Sequence, residues 1–170
     1  TVLAKIPQAK LYLAGEGSIK GGITEYINEQ RLTESVNILG LLSRDEMAAW
    51  YGKVQIVVVP SLWPEPFGRV GPEAMSHGVP VIASGTGGMT DWLEHGRNGL
   101  IADPSDKKGF ANAIIKLLED EAFYQTLSRN ALQSVERFQA KNYIDKLEKL
   151  YFDVLGGQKP MPVPSDKQPV

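Results

Sequence analysis

The sequence predicts an α/β domain: a Rossmann-like parallel sheet with helices on both faces, followed by C-terminal helices. Three observations carry this expectation. Short apolar runs recur through the first hundred residues, and Ile56-Val57-Val58-Val59 and Val81-Ile82-Ala83 are the plainest. Stretches with helical spacing separate these runs, which is the alternation of βαβ units. After residue 104 the strands stop and only helical periodicity remains.

Each element follows in order. The opening Val2–Lys10 reads as the end of a helix running into a strand. Strand signals lie at about Lys10–Ala14, Val36–Leu39, Gln55–Val59, Val79–Ser84 and Gly99–Ala102. Helical patterns fill the intervals at about Ile19–Gln30, Arg44–Lys53, Arg69–Ser76 and Thr90–His95. Ser105 or Asp106 is placed to cap a helix over Phe110–Glu119, with Ala111, Ile114, Ile115 and Leu118 on one face. Two more helices follow, at about Glu121–Phe138 and Lys141–Leu155. In the second, Tyr143, Ile144, Leu147, Leu150, Tyr151 and Val154 keep helical spacing, and Gly156-Gly157 stops it. Residues 156–170 form a tail with prolines at 160, 162, 164 and 169, expected to be disordered. The domain proper is expected to span residues 1–155.

Composition bounds the function. The 170 residues suit one domain with a sizeable core. Lys plus Arg is 18 and Asp plus Glu is 20, giving a net charge of −2, so nothing favours nucleic acid. There are no cysteines, which removes disulfides and thiolate metal sites. Apolar runs are strand-sized, far short of the roughly 20 residues of a membrane helix. No signal peptide is visible, so a cytoplasmic location is expected, with peripheral membrane contact left open. The chain begins with Thr1 rather than Met, as expected of a fragment, a trimmed product or a processed one.

Chemistry concentrates in Pro60-Ser-Leu-Trp-Pro-Glu65-Pro-Phe-Gly-Arg-Val-Gly-Pro-Glu73-Ala-Met-Ser-His-Gly-Val-Pro80. Seven residues separate Glu65 from Glu73. The flanking apolar runs make this a strand, a loop, a helix and a strand, so the two carboxylates flank a helix N-terminus at the carboxyl edge of a sheet. Open α/β sheets bind ligands at that edge. A helix N-terminus carries orphan N–H groups and partial positive charge, which suits phosphate. With a helix starting near Arg69, Glu73 lies about 6 Å along the axis, so the two acids reach different parts of one ligand. Phe67, Gly68, Arg69 and Val70 lie between them and offer backbone N–H groups, and Gly68 permits close approach. Carboxylates beside a phosphate site suit a hydroxyl-rich phosphate ester such as a nucleotide sugar. Gly15-Glu16-Gly17 follows a strand and faces the same edge, as do Gly85, Gly87 and Gly88.

This string resembles the donor-binding motif of the retaining glycosyltransferases of family 4, which are glycogen-synthase-like and have the two-domain GT-B fold. The resemblance rests on Pro60-Ser61, Glu65-Pro66-Phe67-Gly68, Glu73-Ala74-Met75, Gly78-Val79-Pro80-Val81-Ile82-Ala83-Ser84, Gly87-Gly88 and Gly96-Arg97-Asn98-Gly99-Leu100. It extends upstream to Leu11–Gly17 and Val36–Gly40, and covers roughly residues 1–153. It implies that Glu65 contacts sugar hydroxyls as the catalytic residue and that Glu73 binds ribose hydroxyls. It further implies that backbone amides of Phe67, Gly68, Arg69 and Val70 hold the donor sugar and diphosphate. Gly15, Gly17, Gly87 and Gly88 complete the donor site, and the nucleobase sits against Leu41, Leu42, Ser43 and Arg44. Ser43 with Glu46 also reads as a capping box. Where the family carries Gly-Gly-x-x-Glu, this chain has Gly87-Gly88-Met89-Thr90-Asp91. His77 and His95 read as structural, Met75 as buried, and Trp63 as packing the loop.

The resemblance also implies a reaction. A nucleoside diphosphate leaves, its departing oxygen takes the acceptor proton on the same face, and the sugar keeps its configuration. The donor is a UDP-, GDP- or ADP-sugar, with no cofactor and no metal. The family's diphosphate-binding Arg and Lys follow a first strand that precedes residue 1, and Lys5 and Lys10 do not match them. The central strand of the sheet is therefore expected to be missing, leaving an open gap. An acceptor-binding N-terminal domain is expected upstream, and the isolated chain is expected to lack activity. Two alternatives stand beside this hexosyltransferase reading: a non-catalytic nucleotide-sugar-binding module acting with a partner chain, and an epimerase-like domain.

Overall fold

The computed structural model describes residues 1–156. Its strands are β1 (Leu11–Ala14), β2 (Val36–Gly40), β3 (Val57–Val59), β4 (Val81–Ala83) and β5 (Gly99–Ile101). Its helices are α1 (Val2–Lys5), α2 (Lys20–Glu29), α3 (Arg44–Tyr51), α4 (Val70–Met75), α5 (Lys107–Glu119), α6 (Glu121–Val135) and α7 (Ala140–Val154). Residues 1–135 form one compact unit, and the stretch from Glu136 forms another.

Every strand pairing is parallel, and the strands fall into two sheets, β1-β2 and β3-β4-β5. In the doubly wound order, strand one lies between strands two and four, with three and five-six outside them. Leaving strand one unfilled yields two fragments, three-two and four-five-six, which is the observed arrangement. The break between the two sheets falls where the first strand is expected to be missing. Burial records it. β4, flanked by strands on both sides, is fully buried. β3 is half-buried throughout, whereas in β1 only Leu13 is half-buried and the other three residues are exposed, Leu11 at 47 %. Parallel strands take stability from cover on both faces and partners on both edges, so burial drops on either side of the missing position.

Two clusters build the core of the first unit. Tyr51, Ala74, Met75, Val79, Val81, Ala83, Met89, Trp92 and Leu93 fill one, joining α3 and α4 to the sheet. Ile82, Leu100, Phe110, Leu117 and Leu127 fill the other, where α5 covers the opposite face; α6 reaches both, with Leu127 here and Ala131 in the first. Alternation along β4 explains the split: Val81 and Ala83 point to one cluster and Ile82 to the other. α1 packs against α5.

Some expectations are corrected. The helix expected at Thr90–His95 is a 3-10 segment over Gly87–Asp91, after which Trp92 and Leu93 turn into the core. On α5 the buried residues are Phe110, Ala111, Ile115 and Leu117, with Ile114 and Leu118 half-buried among them, so the expected face is present and is widened by Phe110 and Leu117. Asp106, not Ser105, is its N-cap and accepts from the Gly109 N–H at 2.9 Å. The helix expected to reach Phe138 stops at Val135 and tightens to a 3-10 turn over Glu136–Phe138. In the second unit, α7 buries none of its residues. It ends before Gly156 at φ +67°, a conformation glycine adopts without strain. The remainder of the expected tail lies outside the described residues.

Candidate functional site

The loop from β3 to α4 carries Glu65 and leads into the helix that carries Glu73, and the segment after β4 holds that loop in place. Ser84 Oγ donates to the Ser61 carbonyl at 2.7 Å, and Thr86 Oγ1 donates to the Trp63 carbonyl at 3.1 Å. The Gly88 N–H donates to the Glu65 carbonyl at 2.8 Å. Trp92 Nε1–H donates to the Phe67 carbonyl. Four hydrogen bonds thus fasten four carbonyls of the loop that leads to the helix.

The glycines here are explained by packing. A Cβ on Gly88 would lie 2.0 Å from the Pro66 carbonyl oxygen, and one on Gly87 would lie 2.3 Å from that of Glu65. The expected glycine loop is therefore a backbone-on-backbone seat for Glu65. Gly68, expected to admit a ligand, has φ +69° and sits over Met89 and Trp92. Gly71, inside α4, lies flat on the Trp92 indole, where a Cβ would come within 2.0 Å of the ring.

Glu65 is half-buried, with Oε1 at 3.4 Å from Ser61 Oγ. Glu73 lies in the first turn of α4, and its Oε1 is 2.9 Å from Arg69 Nη2. Arg69 is 80 % exposed in its side chain and Glu73 43 %, so the pair adds little stability but occupies one carboxylate oxygen. Beneath it, Ser76 Oγ donates to the Glu73 carbonyl at 2.7 Å, and His77 Nδ1 lies 3.0 Å from the same oxygen. The Tyr51 ring lies 5.2 Å from that of His77, tilted by 40°. Burial, with a smaller push from the Glu73 charge, raises the Tyr51 hydroxyl to about 12. Phe67 is half-buried, while Arg69 and Val70 are exposed.

A second group gathers at the carboxyl ends of β1 and β2. Gly15, at φ +132°, donates its N–H to the Gly40 carbonyl at 2.7 Å. Gly17 faces open space. Lys20, 2.9 Å from Glu16 Oε1, holds that carboxyl below its usual range. Ser43 and Glu46 form the expected capping box, with Leu42 half-buried and Arg44 exposed beside it. No hydrogen bond joins this group to the Glu65–Glu73 group among the described residues. Packing of α3 does link them: Trp50 stacks on Tyr12 at 4.6 Å, and Tyr51 enters the cluster of Ala74 and Met75.

Three sequence readings of single residues meet different outcomes. Met75 is fully buried, as expected. Trp63 is 72 % exposed, so its ring does not pack the loop; only its carbonyl is held. His95 Nδ1 accepts the Ile101 N–H at 2.9 Å, a structural bond. Sequence reasoning passed over Ser84, Thr86, Trp92, Gly71 and Tyr51. A glycine inside a helical run is the one available signal among them, because it points to close packing. Asn98, in the Gly96–Leu100 block, is fully buried and bonds the Trp92 carbonyl and the Glu94 N–H.

Comparison with known proteins matches this architecture. The model of the family described as glycosyl transferases group 1 matches residues 1–134. N-acetyl-alpha-D-glucosaminyl L-malate synthase of Bacillus anthracis is 32 % identical over 152 residues, 89 % of this chain and 39 % of the relative. Sucrose-phosphate synthase from Thermosynechococcus elongatus superposes with a TM-score of 0.79 at 32 % identity, over 92 % of this chain and 41 % of that one. Anabaena HepE, solved in complex with UDP-glucose, gives a TM-score of 0.77 at 29 % identity, over 92 % of this chain and 43 % of that one. The chain spans about two-fifths of the length of these relatives. From the family match and the parallel fold with its braced acidic loop, this chain belongs to the glycosyl transferases group 1 family, with the Rossmann-like fold of the GT-B type.

Proposed function

We propose that this chain is the donor-binding part of a retaining hexosyltransferase that moves a sugar from a nucleoside-diphosphate sugar to an acceptor hydroxyl. One observation carries the reading: Glu65 and Glu73 project from a single loop–helix unit whose carbonyls are tied down by Ser84, Thr86, Gly88 and Trp92. Such bracing fixes the two acids relative to each other, as a ligand with two hydroxyl-bearing ends requires. In this reading Glu65 receives hydroxyls of the transferred sugar and is the catalytic residue. Glu73 receives the ribose hydroxyls. The amides of Phe67, Gly68, Arg69 and Val70 receive the sugar and diphosphate, and developing charge on the diphosphate is what they stabilise. Gly15, Gly17, Leu42 and Arg44 border the nucleobase, and Gly87 and Gly88 seat Glu65. A UDP-sugar is the first candidate, because the structural relative HepE was solved with UDP-glucose. GDP- and ADP-sugars are the alternatives, and the reaction uses no cofactor or metal.

The reading places the work in the cytoplasm and gives the acceptor to an N-terminal domain upstream. It expects no appreciable transfer by the isolated chain. A non-catalytic nucleotide-sugar-binding module acting with a partner chain is the second reading.

Ligand-observed NMR tests the proposal, with UDP-glucose, GDP-mannose and ADP-glucose offered to the chain and to Glu73→Ala. The expected result is binding of one donor that weakens about tenfold or more in the variant, the scale of a lost charged hydrogen bond. A folded chain that binds none of the three overturns it.

A further inference from the structure

Tyr51 ends α3 with 4 % of its surface exposed, and its hydroxyl is buried without a hydrogen-bond partner. A phenol is an able donor and acceptor, and an unpaired one in a native core calls for a reason. Its surroundings supply one. The ring packs in the cluster of Ala74 and Met75, the two residues that follow Glu73 on α4. It meets the His77 ring at a 40° tilt, and His77 Nδ1 lies 3.0 Å from the Glu73 carbonyl. Tyr51 is therefore seated on the helical turn that presents Glu73, and the Glu73 charge is felt at its hydroxyl.

Glu73, for its part, is turned outward. Its Oε1 is held by the exposed Arg69 guanidinium at 2.9 Å, and its Oε2 makes no hydrogen bond among the described residues. A carboxylate has about four lone-pair sites, enough for two ligand hydroxyls and one phenol together. A ligand diphosphate competes for the Arg69 guanidinium, since phosphate and carboxylate are alternative partners for the same fork.

We propose that the Tyr51 hydroxyl is a positioning partner for Glu73, donating to its carboxylate when a nucleotide sugar draws Arg69 away, and so fixing the carboxylate toward the ligand's hydroxyls. The inference rests on the nucleotide-sugar reading of the site and adds to it a residue that touches no ligand. Without a ligand the donor is left unpaired; with one, the pairing contributes to affinity. Folding and binding then pull in opposite directions at this position, which a purely structural tyrosine does not show.

The test is a double-mutant cycle on the full chain: wild type, Tyr51→Phe, Glu73→Gln and both, with affinity for UDP-glucose, GDP-mannose and ADP-glucose read by ligand-observed NMR and the melting temperature beside it. Tyr51→Phe is expected to weaken the bound donor about fivefold, the scale of one hydrogen bond, with a melting temperature equal to or above wild type. In the Glu73→Gln background the same change is expected to alter affinity by much less. Unchanged affinity in Tyr51→Phe overturns the proposal, as does an equal weakening in both backgrounds. Failure of the wild-type chain to bind any of the three donors overturns the nucleotide-sugar reading itself, and this inference with it.

Discussion

Tyr51 has a second consequence, in alkali. Its hydroxyl keeps its proton in the folded chain up to about pH 12, against 10.0 for the ordinary group. Between those values the unfolded chain has released a proton that the folded one still holds. Stability is whole below pH 10 and falls as pH rises through the window. Tyr124, raised in the same direction by its own burial, adds to the fall. Urea midpoints at the two ends of the window are expected to drop less in Tyr51→Phe than in wild type. At Gly88 the issue is space. A methyl group would meet the Pro66 carbonyl oxygen at 2.0 Å, so Gly88→Ala must push the Glu65 loop aside. The expected cost is about 1–3 kcal/mol of stability together with lost donor binding, read by calorimetry and NMR. The sequence marked Gly87 and Gly88 as facing the ligand edge; that they abut the Glu65 backbone depends on a loop some twenty residues earlier, which local pattern does not encode.

At the scale of elements, α4 and the 3-10 segment after β4 work as one piece. Gly71 lets the helix lie flat on the Trp92 indole, and the indole N–H reaches the Phe67 carbonyl. Trp92 is wholly buried, so Trp92→Ala removes a large apolar surface and a hydrogen bond at once. The expected loss is about 3–5 kcal/mol, measured by urea unfolding, with donor binding falling alongside because the loop loses its anchor. The helix itself was legible from Arg69–Ser76, close to the observed Val70–Met75. The segment over Thr90–His95 was not. Its Trp92 and Leu93 suggest a helix by spacing, yet their burial comes from a tight 3-10 turn started by Gly87 at φ +61°. Tertiary packing overrode periodicity there.

Across the whole molecule, the open strand position sets the distribution of stability. In a parallel strand, alternate residues direct their N–H and C=O groups to opposite edges. Leu11 and Gly15 donate toward β2, and Val57 and Val59 bond toward β4. Tyr12, Ala14 and Val58 therefore direct theirs into the gap. Hydrogen exchange is expected to be fast at Tyr12, Ala14 and Val58 and slow along β4, whose residues are fully buried. A chain lengthened ahead of Val2 by a strand-forming segment is expected to slow exchange on β1 and β3 and to raise the melting temperature. No change at those amides would show that the gap does not accept a strand. Helix α1 fits this expectation: it leads into β1 while packing on α5, which covers the other sheet.

By itself the sequence determined the alternation of strands and helices, the parallel class and the two acids of the loop, because periodicity, turn residues and a contiguous motif are local properties of a chain. Glu65, Glu73, the Ser43 capping box and the burial of Met75 belong to that local record. Only the tertiary structure decided that Ser84, Thr86, Gly88 and Trp92 hold the acidic loop, that Trp63 stands in solvent, and that Tyr51 lies under Glu73 with its hydroxyl unpaired. The bracing bonds and the seat of Tyr51 join residues some twenty positions apart. Their meeting depends on how parallel strands bring successive loops side by side, and that is a property of the assembled sheet.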